Sequence, residues 1–128
     1  KARNETLEYE ANYKNGKIAV KESIKLDNLL SSEFFDENGQ LLYIYQGEEN
    51  GNDLKKEYYY TNGKLMNATK FDKGQQTEKL FYRADGSLEM KEELKFDQVH
   101  GRTIVKDEQG ATKLNLIYRN NIAYELGE

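Results

Sequence analysis

Hydrophobic and polar residues alternate along most of this chain, and the alternation restarts at regular intervals. Leu7, Tyr9, Ala11 and Tyr13 interleave with Glu8, Glu10 and Asn12. A period of two places the first set on one face of a strand. Counting in twos past Gly16 gives Ile18, Val20, Glu22, Ile24 and Leu26. The same count past Gly86 gives Leu88, Met90, Glu92, Leu94 and Phe96, matching down to the single Glu. Leu41, Tyr43 and Tyr45 follow Gly39, Leu65 and Phe71 follow Gly63, and Leu114, Leu116 and Tyr118 follow Gly110. These five glycines stand 23, 24, 23 and 24 residues apart, and self-similarity at a fixed period is the mark of a repeat architecture.

Each glycine closes a turn-like stretch: "YKNG", "FDENG", "YTNG", "YRADG", "KDEQG". Asn-Gly and Asp-Gly predict two-residue hairpin turns of type I′, with positive φ at both central residues. Between them lies a second, looser set: "LDNLL" (26–30), "GEENGND" (47–53), "FDKGQQ" (71–76), "FDQVHG" (96–101) and "YRNNIA" (118–123). The unit is therefore strand, tight turn, strand, looser turn. It predicts about eleven antiparallel strands, at roughly 6–13, 17–26, 30–36, 40–46, 53–60, 64–71, 77–83, 87–96, 102–107, 111–118 and 122–126. The helix-like windows around Asp27–Phe35 and Leu88–Phe96 are better explained by the repeat.

The fold class that follows is all-β. One domain over residues 1–128 forms a β-meander of about five hairpin repeats, turning near Gly16, Gly39, Gly63, Gly86 and Gly110. An elongated twisted sheet is the expected form, and an up-and-down barrel curled around a tyrosine-lined cup is the alternative. Tyr58, Tyr59 and Tyr60 end a strand, so Tyr59 is expected to face away from Tyr58 and Tyr60. Phe34-Phe35 and Phe81-Tyr82 hold the equivalent places before the next turns.

Composition thins the core. The apolar residues make up 37% and the charged residues 33%, against a usual apolar share of ~45–50%. Fifteen aromatics and a net charge of only −4 still point to a folded chain rather than a disordered one. Proline is absent, so nothing bars a segment from a sheet ladder. Cysteine is absent too, which excludes disulfides, thiolate catalysis and Cys-based metal sites. No apolar run approaches the ~18 residues of a membrane helix, and "KARNETLEYE" does not read as a signal peptide. No membrane insertion is expected.

Candidate chemistry is sparse. His100 is the single histidine and has no second His for a metal site. Glu48, Glu49, Asn50, Asn52 and Asp53 are oxygen ligands of the kind Ca²⁺ takes, but they lack the register of a calcium loop. Glu22 and Glu92 share a phase, yet six strands at ~4.8 Å each separate them in an open meander. Lys55-Lys56 beside three tyrosines has the ingredients of a single-strand nucleic-acid platform. The acidic balance and the lack of a basic stripe argue against nucleic acid. No catalytic residue, metal ligand or cofactor is therefore expected, and the chain is not expected to be an enzyme. The tyrosine-rich central repeats remain: Tyr43, Tyr45, Tyr58, Tyr59, Tyr60 and Phe81 are the candidate binding residues, because exposed tyrosine is rigid and amphipathic.

The segments Tyr59-Tyr60-Thr61-Asn62-Gly63-Lys64-Leu65, Phe71-Asp72-Lys73-Gly74 and Phe81-Tyr82-Arg83-Ala84-Asp85-Gly86, with "NYKNGK" (12–17) and "FFDENGQL" (34–41), resemble the variant MORN-repeat family of bacteria. That family includes YwqK-like antitoxins and exported repeat proteins. The resemblance spans about residues 6–126, though tryptophan is absent and the last repeat carries "TIVKDEQG" instead of aromatics. It implies stacked hairpins used for binding, without catalysis. The expected function is a protein-binding or scaffold module, possessing an immunity or antitoxin-like role by resemblance. A small-ligand or carbohydrate-binding barrel and a structural surface repeat protein are the alternatives. The expected partner is a protein, with self-association through sheet edges as a further route. An exported, periplasmic or surface setting is favoured over the cytoplasm.

Overall fold

Every run of alternation becomes a strand. The computed structural model describes residues 5–96, 98–119 and 122–125. Within them lie β1 (Leu7–Asn12), β2 (Ile18–Lys25), β3 (Asn28–Phe35), β4 (Leu41–Gly47), β5 (Asp53–Tyr59), β6 (Leu65–Asp72), β7 (Gln75–Tyr82), β8 (Leu88–Lys95), β9 (Gln98–Lys106), β10 (Thr112–Arg119) and β11 (Ile122–Glu125), and no helix. The expected end of the last strand at 126 and the centre of the last loose turn at 120–121 lie outside the described residues.

The strands pair in sequence order, each antiparallel to the next, in one sheet. β1 and β11 are its edges and do not pair with each other. The sheet is open, so the curled barrel with its tyrosine-lined cup does not form. Glu22 and Glu92 belong to one cross-strand row, which runs Glu22, Ser32, Tyr45, Lys56, Thr69, Lys79, Glu92. They are six strands apart and do not meet.

The turn chemistry is the reverse of the sequence expectation. At the glycine turns the Gly16 N–H donates to the Tyr13 carbonyl at 3.0 Å, and the Tyr13 N–H donates to the Lys17 carbonyl at 2.8 Å. Gly16 has φ +87°, while Asn15 is not in the left-handed region. This is a three-residue loop ending in a glycine bulge, repeated at Gly39, Gly63, Gly86 and Gly110. The physical reason is local: the Asn15 Oδ1 accepts the Lys17 N–H at 2.9 Å, and this side-chain bond competes with the type I′ geometry.

The two-residue turns occur instead at the other end of the sheet. Leu26 and Asp27 have φ +53° and +63°, and Lys73 and Gly74 have +52° and +81°. They join Lys25 to Asn28 and Asp72 to Gln75, which are directly paired. The supposedly loose turns are thus the tighter ones. β3, β7 and β9 begin two to four residues earlier than expected, at 28, 75 and 98. Leu26 and Phe96, expected on the inward face, sit at left-handed φ next to solvent, 39% and 69% exposed. His100 lies inside β9 rather than at a turn.

The alternating period has a structural origin. The second unit is one residue longer because its far turn is a three-residue glycine loop, with the Gly51 N–H donating to the Glu48 carbonyl at 2.9 Å. The fourth is longer because β9 bulges: Leu94 pairs with Val99, but Glu92 pairs with Thr103. The Glu93 Oε1 fills that bulge, accepting the Arg102 N–H at 2.7 Å. One-residue register shifts also follow every glycine turn, leaving Ala19, Leu42, Met66, Glu89 and Lys113 without an opposite partner. Bulges strengthen twist.

The core is a single layer. Tyr45 and Ala68 are the buried apolar residues, and no large side chain is fully buried among the described residues. The accessible surface of 8598 Å² exceeds the roughly 7,000 Å² expected of a compact chain of this mass. Cohesion comes from ladders, side-chain rows and the glycine turns, which brace one another. The Tyr13 hydroxyl donates to the Phe35 carbonyl at 2.7 Å, the Asn15 Nδ2 to the Glu37 carbonyl at 2.9 Å and the Lys17 Nζ to the Asn38 carbonyl at 3.2 Å. Two repeats on, Tyr60, Asn62 and Lys64 make the same three bonds to the carbonyls of Tyr82, Ala84 and Asp85, at 2.8, 2.8 and 2.9 Å. The Tyr-x-Asn-Gly-Lys segment is a brace from one turn to the next.

Candidate binding face

Directly opposite residues in an antiparallel sheet share a face, so the registers sort the side chains into two surfaces. One row runs Val20, Phe34, Tyr43, Tyr58, Asn67, Phe81, Met90, Val105, Leu114 across β2 to β10. The next row on that face contains Tyr45 and Lys56, and beyond it Phe71 lies under the Lys56 Nζ at 5.6 Å from the ring centroid. The middle of this face is aromatic. Phe34 meets Tyr43 edge-on, with centroids 5.5 Å apart and planes at 76°. Tyr43 meets Tyr58 at 4.7 Å and 47°. Such contacts add about 0.5–1.5 kcal/mol each beyond area burial.

The outer members of this ladder remain open to solvent: Phe34 is 43% and Tyr58 45% exposed. Beneath it, Tyr45 is 8% exposed and donates its hydroxyl to the Asp53 Oδ1 at 2.6 Å. Burial, assisted by that bond, pushes the Tyr45 phenol up to about 12. Tyr43 is raised as well, by burial first and by Tyr58 and Asp53 second. Gly47 makes room for the Tyr45 ring; a Cβ there would lie 2.6 Å from the Leu29 carbonyl oxygen and against the Tyr45 hydroxyl.

The opposite face is charged. The Lys70 Nζ and Lys91 Nζ flank Glu78 at 3.3 and 3.4 Å, and the Lys55 Nζ stands 3.4 Å from the Glu57 Oε1. Tyr59 belongs here. Its hydroxyl donates to the Glu57 Oε1 at 2.9 Å, and burial together with that bond pushes it up to about 12.

The structure therefore divides the six candidate residues. Tyr43, Tyr45, Tyr58 and Phe81 share the aromatic face, Tyr59 is on the charged face, and the Tyr60 hydroxyl is committed to the Tyr82 carbonyl in the turn brace. Phe34 joins the ladder although the sequence reading did not select it. Its signal was its place in "FFDENG", equivalent to Tyr58 in "EYYYTNG".

The other sequence candidates are dispersed. Glu22 accepts the Ser32 hydroxyl at 3.2 Å. In the 47–54 loop, the Glu49 carboxylate takes Lys25 at 2.6 Å, its carbonyl takes the Asn28 Nδ2 at 2.7 Å, and Asp53 holds Tyr45. Among the described residues no group of three or more His, Cys, Asp or Glu is arranged to hold a metal ion.

No family model matches the chain, and no curated protein matches it. Solved structures do show similar chains. One belongs to the crystal structure of accessory secretory protein 1,2 and 3 in Streptococcus pneumoniae: it is 16% identical, with a TM-score of 0.47, over 77% of this chain and 19% of that one. Another belongs to the GtfA/B complex bound to UDP and GlcNAc: 14% identical, TM-score 0.49, over 90% of this chain and 24% of that one. This chain spans about a fifth to a quarter of the length of those proteins.

Proposed function

We propose that this chain is a non-enzymatic protein-binding module that presents the aromatic face to a protein partner. The observation that carries this reading is the Phe34–Tyr43–Tyr58 ladder, rigidly registered on a single-layer sheet and open at both outer rings. Aromatic side chains on a fixed backbone lose little conformational entropy on binding and supply large contact area. Polar groups at the rim, Lys56 and Lys79 from the neighbouring row, favour a partner that brings acidic residues around an apolar centre. The immunity or antitoxin-like role implied by the variant MORN-repeat resemblance fits within this reading.

The test is capture from the source lysate and culture fluid at low and high salt. The wild type is compared with F34S/Y58S on the aromatic face and with K55A on the charged face. One stoichiometric protein that survives high salt, is lost with the double variant and is kept with K55A supports the reading. Equal capture by all three proteins, or a turnover activity that dies with one carboxylate substitution, overturns it.

A further inference from the structure

The glycine turns brace one another with a direction. Donors of the first turn reach the carbonyls of Phe35, Glu37 and Asn38, and donors of the third reach those of Tyr82, Ala84 and Asp85. Arg83 continues the direction, its Nη2 donating to the Lys106 carbonyl at 2.5 Å. Donors always precede acceptors in the chain. The equivalent acceptor carbonyls of the first turn belong to Asn12, Lys14 and Asn15, three exposed residues at the β1 edge. The opposite end lacks the complement. Asp107 spends its carboxylate on its own turn, accepting the N–H groups of Gln109 and Ala111 at 2.9 Å, and Ala111 stands where Lys17 and Lys64 do.

The charges on β1 tell the same story. Aligned on the turn glycines, Glu8 of β1 corresponds to Glu78 of β7. Glu78 holds Lys70 of the preceding strand at 3.3 Å and Lys91 of the following strand at 3.4 Å. Glu8 has its following-strand contact, accepting the Ser23 hydroxyl at 3.0 Å. Its preceding-strand side is the sheet edge.

We infer that the β1 edge is a strand-addition site for a hairpin of the Tyr-x-Asn-Gly-Lys type, carried by a partner chain. The second strand of the incoming hairpin pairs antiparallel with Leu7–Asn12, as β6 pairs with β7. Its Tyr, Asn and Lys donate to the carbonyls of Asn12, Lys14 and Asn15. A lysine seven residues past its turn glycine, the place of Lys70, faces Glu8. Main-chain bonds give such strand addition its affinity and the flanking side chains its register. Two copies joined β1 to β1 would set Glu8 against Glu10, a like-charge opposition that disfavours that arrangement. The inference uses the edge and the turns, and does not depend on the aromatic face.

The probe is a labelled peptide with the sequence of residues 57–72, titrated into the full chain while backbone amide shifts are followed. Saturable binding with shifts confined to residues 7–16 is expected. E8K weakens it roughly fivefold to tenfold, and a peptide with the Lys70→Glu change restores binding to E8K. E125K at the far edge and Y58A on the aromatic face leave the affinity unchanged. Failure of the charge swap to rescue, shifts centred on β11 or the aromatic face, or no saturation at all would overturn the inference. Loss of binding to Y58A alone would point to the proposed function's face instead of the edge.

Discussion

The same eleven strands carry two surfaces that are held together differently. On the aromatic face, Phe34, Tyr43 and Tyr58 touch ring to ring, and Tyr45 is buried against Asp53 and Gly47. On the charged face, Lys55, Glu57, Lys70, Glu78 and Lys91 pair at 3.3–3.4 Å with substantial solvent contact. The first kind of cohesion depends on shape and survives salt. The second is weak, screened and adjustable. A single-layer sheet has no second layer to bury an apolar face, so the aromatic face must both stabilise the sheet and remain available. The charged face has only to keep the reverse side soluble.

The largest expected effect falls where the aromatic face is tightest. Gly47→Val places a branched side chain against the Leu29 carbonyl and the Tyr45 hydroxyl. Neither can retreat without breaking a strand pairing or the Tyr45–Asp53 bond. A loss of about 3 kcal/mol is expected, read as a lower midpoint in urea unfolding. A stability within 0.5 kcal/mol of wild type would mean that Tyr45 moves freely and the face is not built around it.

Tyr43→Ala should rank next. It removes the middle ring of the ladder and both ring contacts, at a cost of about 2 kcal/mol. Tyr43→Phe keeps the ring and should cost less than about 0.5 kcal/mol. Equal losses in the two variants would shift the weight from ring packing to the hydroxyl.

Alkaline pH probes both faces at once. Tyr45 and Tyr59 each titrate at about 12 in the folded chain against 10.0 unfolded. A raised phenol contributes stability that is fully present below pH 10 and is lost as pH rises through about 12, because the unfolded chain releases its proton first. The melting temperature should fall across that window. Y45F and Y59F should each flatten the fall, and ultraviolet absorbance should show two late-titrating tyrosines. Tyr45 is the better anchored, at 8% exposure, so Y45F should flatten the curve more.

These contrasts also mark what could be read from the chain. The eleven strands, their order and the positions of the glycine turns follow from alternation and spacing, because period and punctuation are local properties. The assignment of aromatics to faces was only partly legible. Tyr58, Tyr59 and Tyr60 separate as alternation requires, but a bulge after every glycine turn resets the phase. Counting in twos therefore carried Leu26 and Phe96 onto the inward face when both are turn residues. The turn types were misread because Asn-Gly favours type I′ in isolation, whereas Asn15 and Asn62 here bond their own loops and the next turn as well. Open or closed was also beyond local pattern, since closure depends on twist summed over all the strands. Phe34 escaped selection because its partners, Tyr43 and Tyr58, are nine and twenty-four residues away.

The smallest effect sharpens the comparison from the other side. Glu78 lies between Lys70 and Lys91, 23% exposed against 57% and 37% for the lysines. Glu78→Gln removes two screened attractions but keeps the side chain's shape, so about 0.5 kcal/mol should be lost at low salt. In 1 M salt, where the screening length is ~3 Å, the difference from wild type should nearly vanish. Tyr43→Ala measured under the same two conditions should keep its full deficit, because ring packing carries no net charge to screen. If both variants responded alike to salt, the two faces would not be separate kinds of surface. The charge row would then be coupled through the strands to the aromatic ladder, and a partner on one face would alter the other.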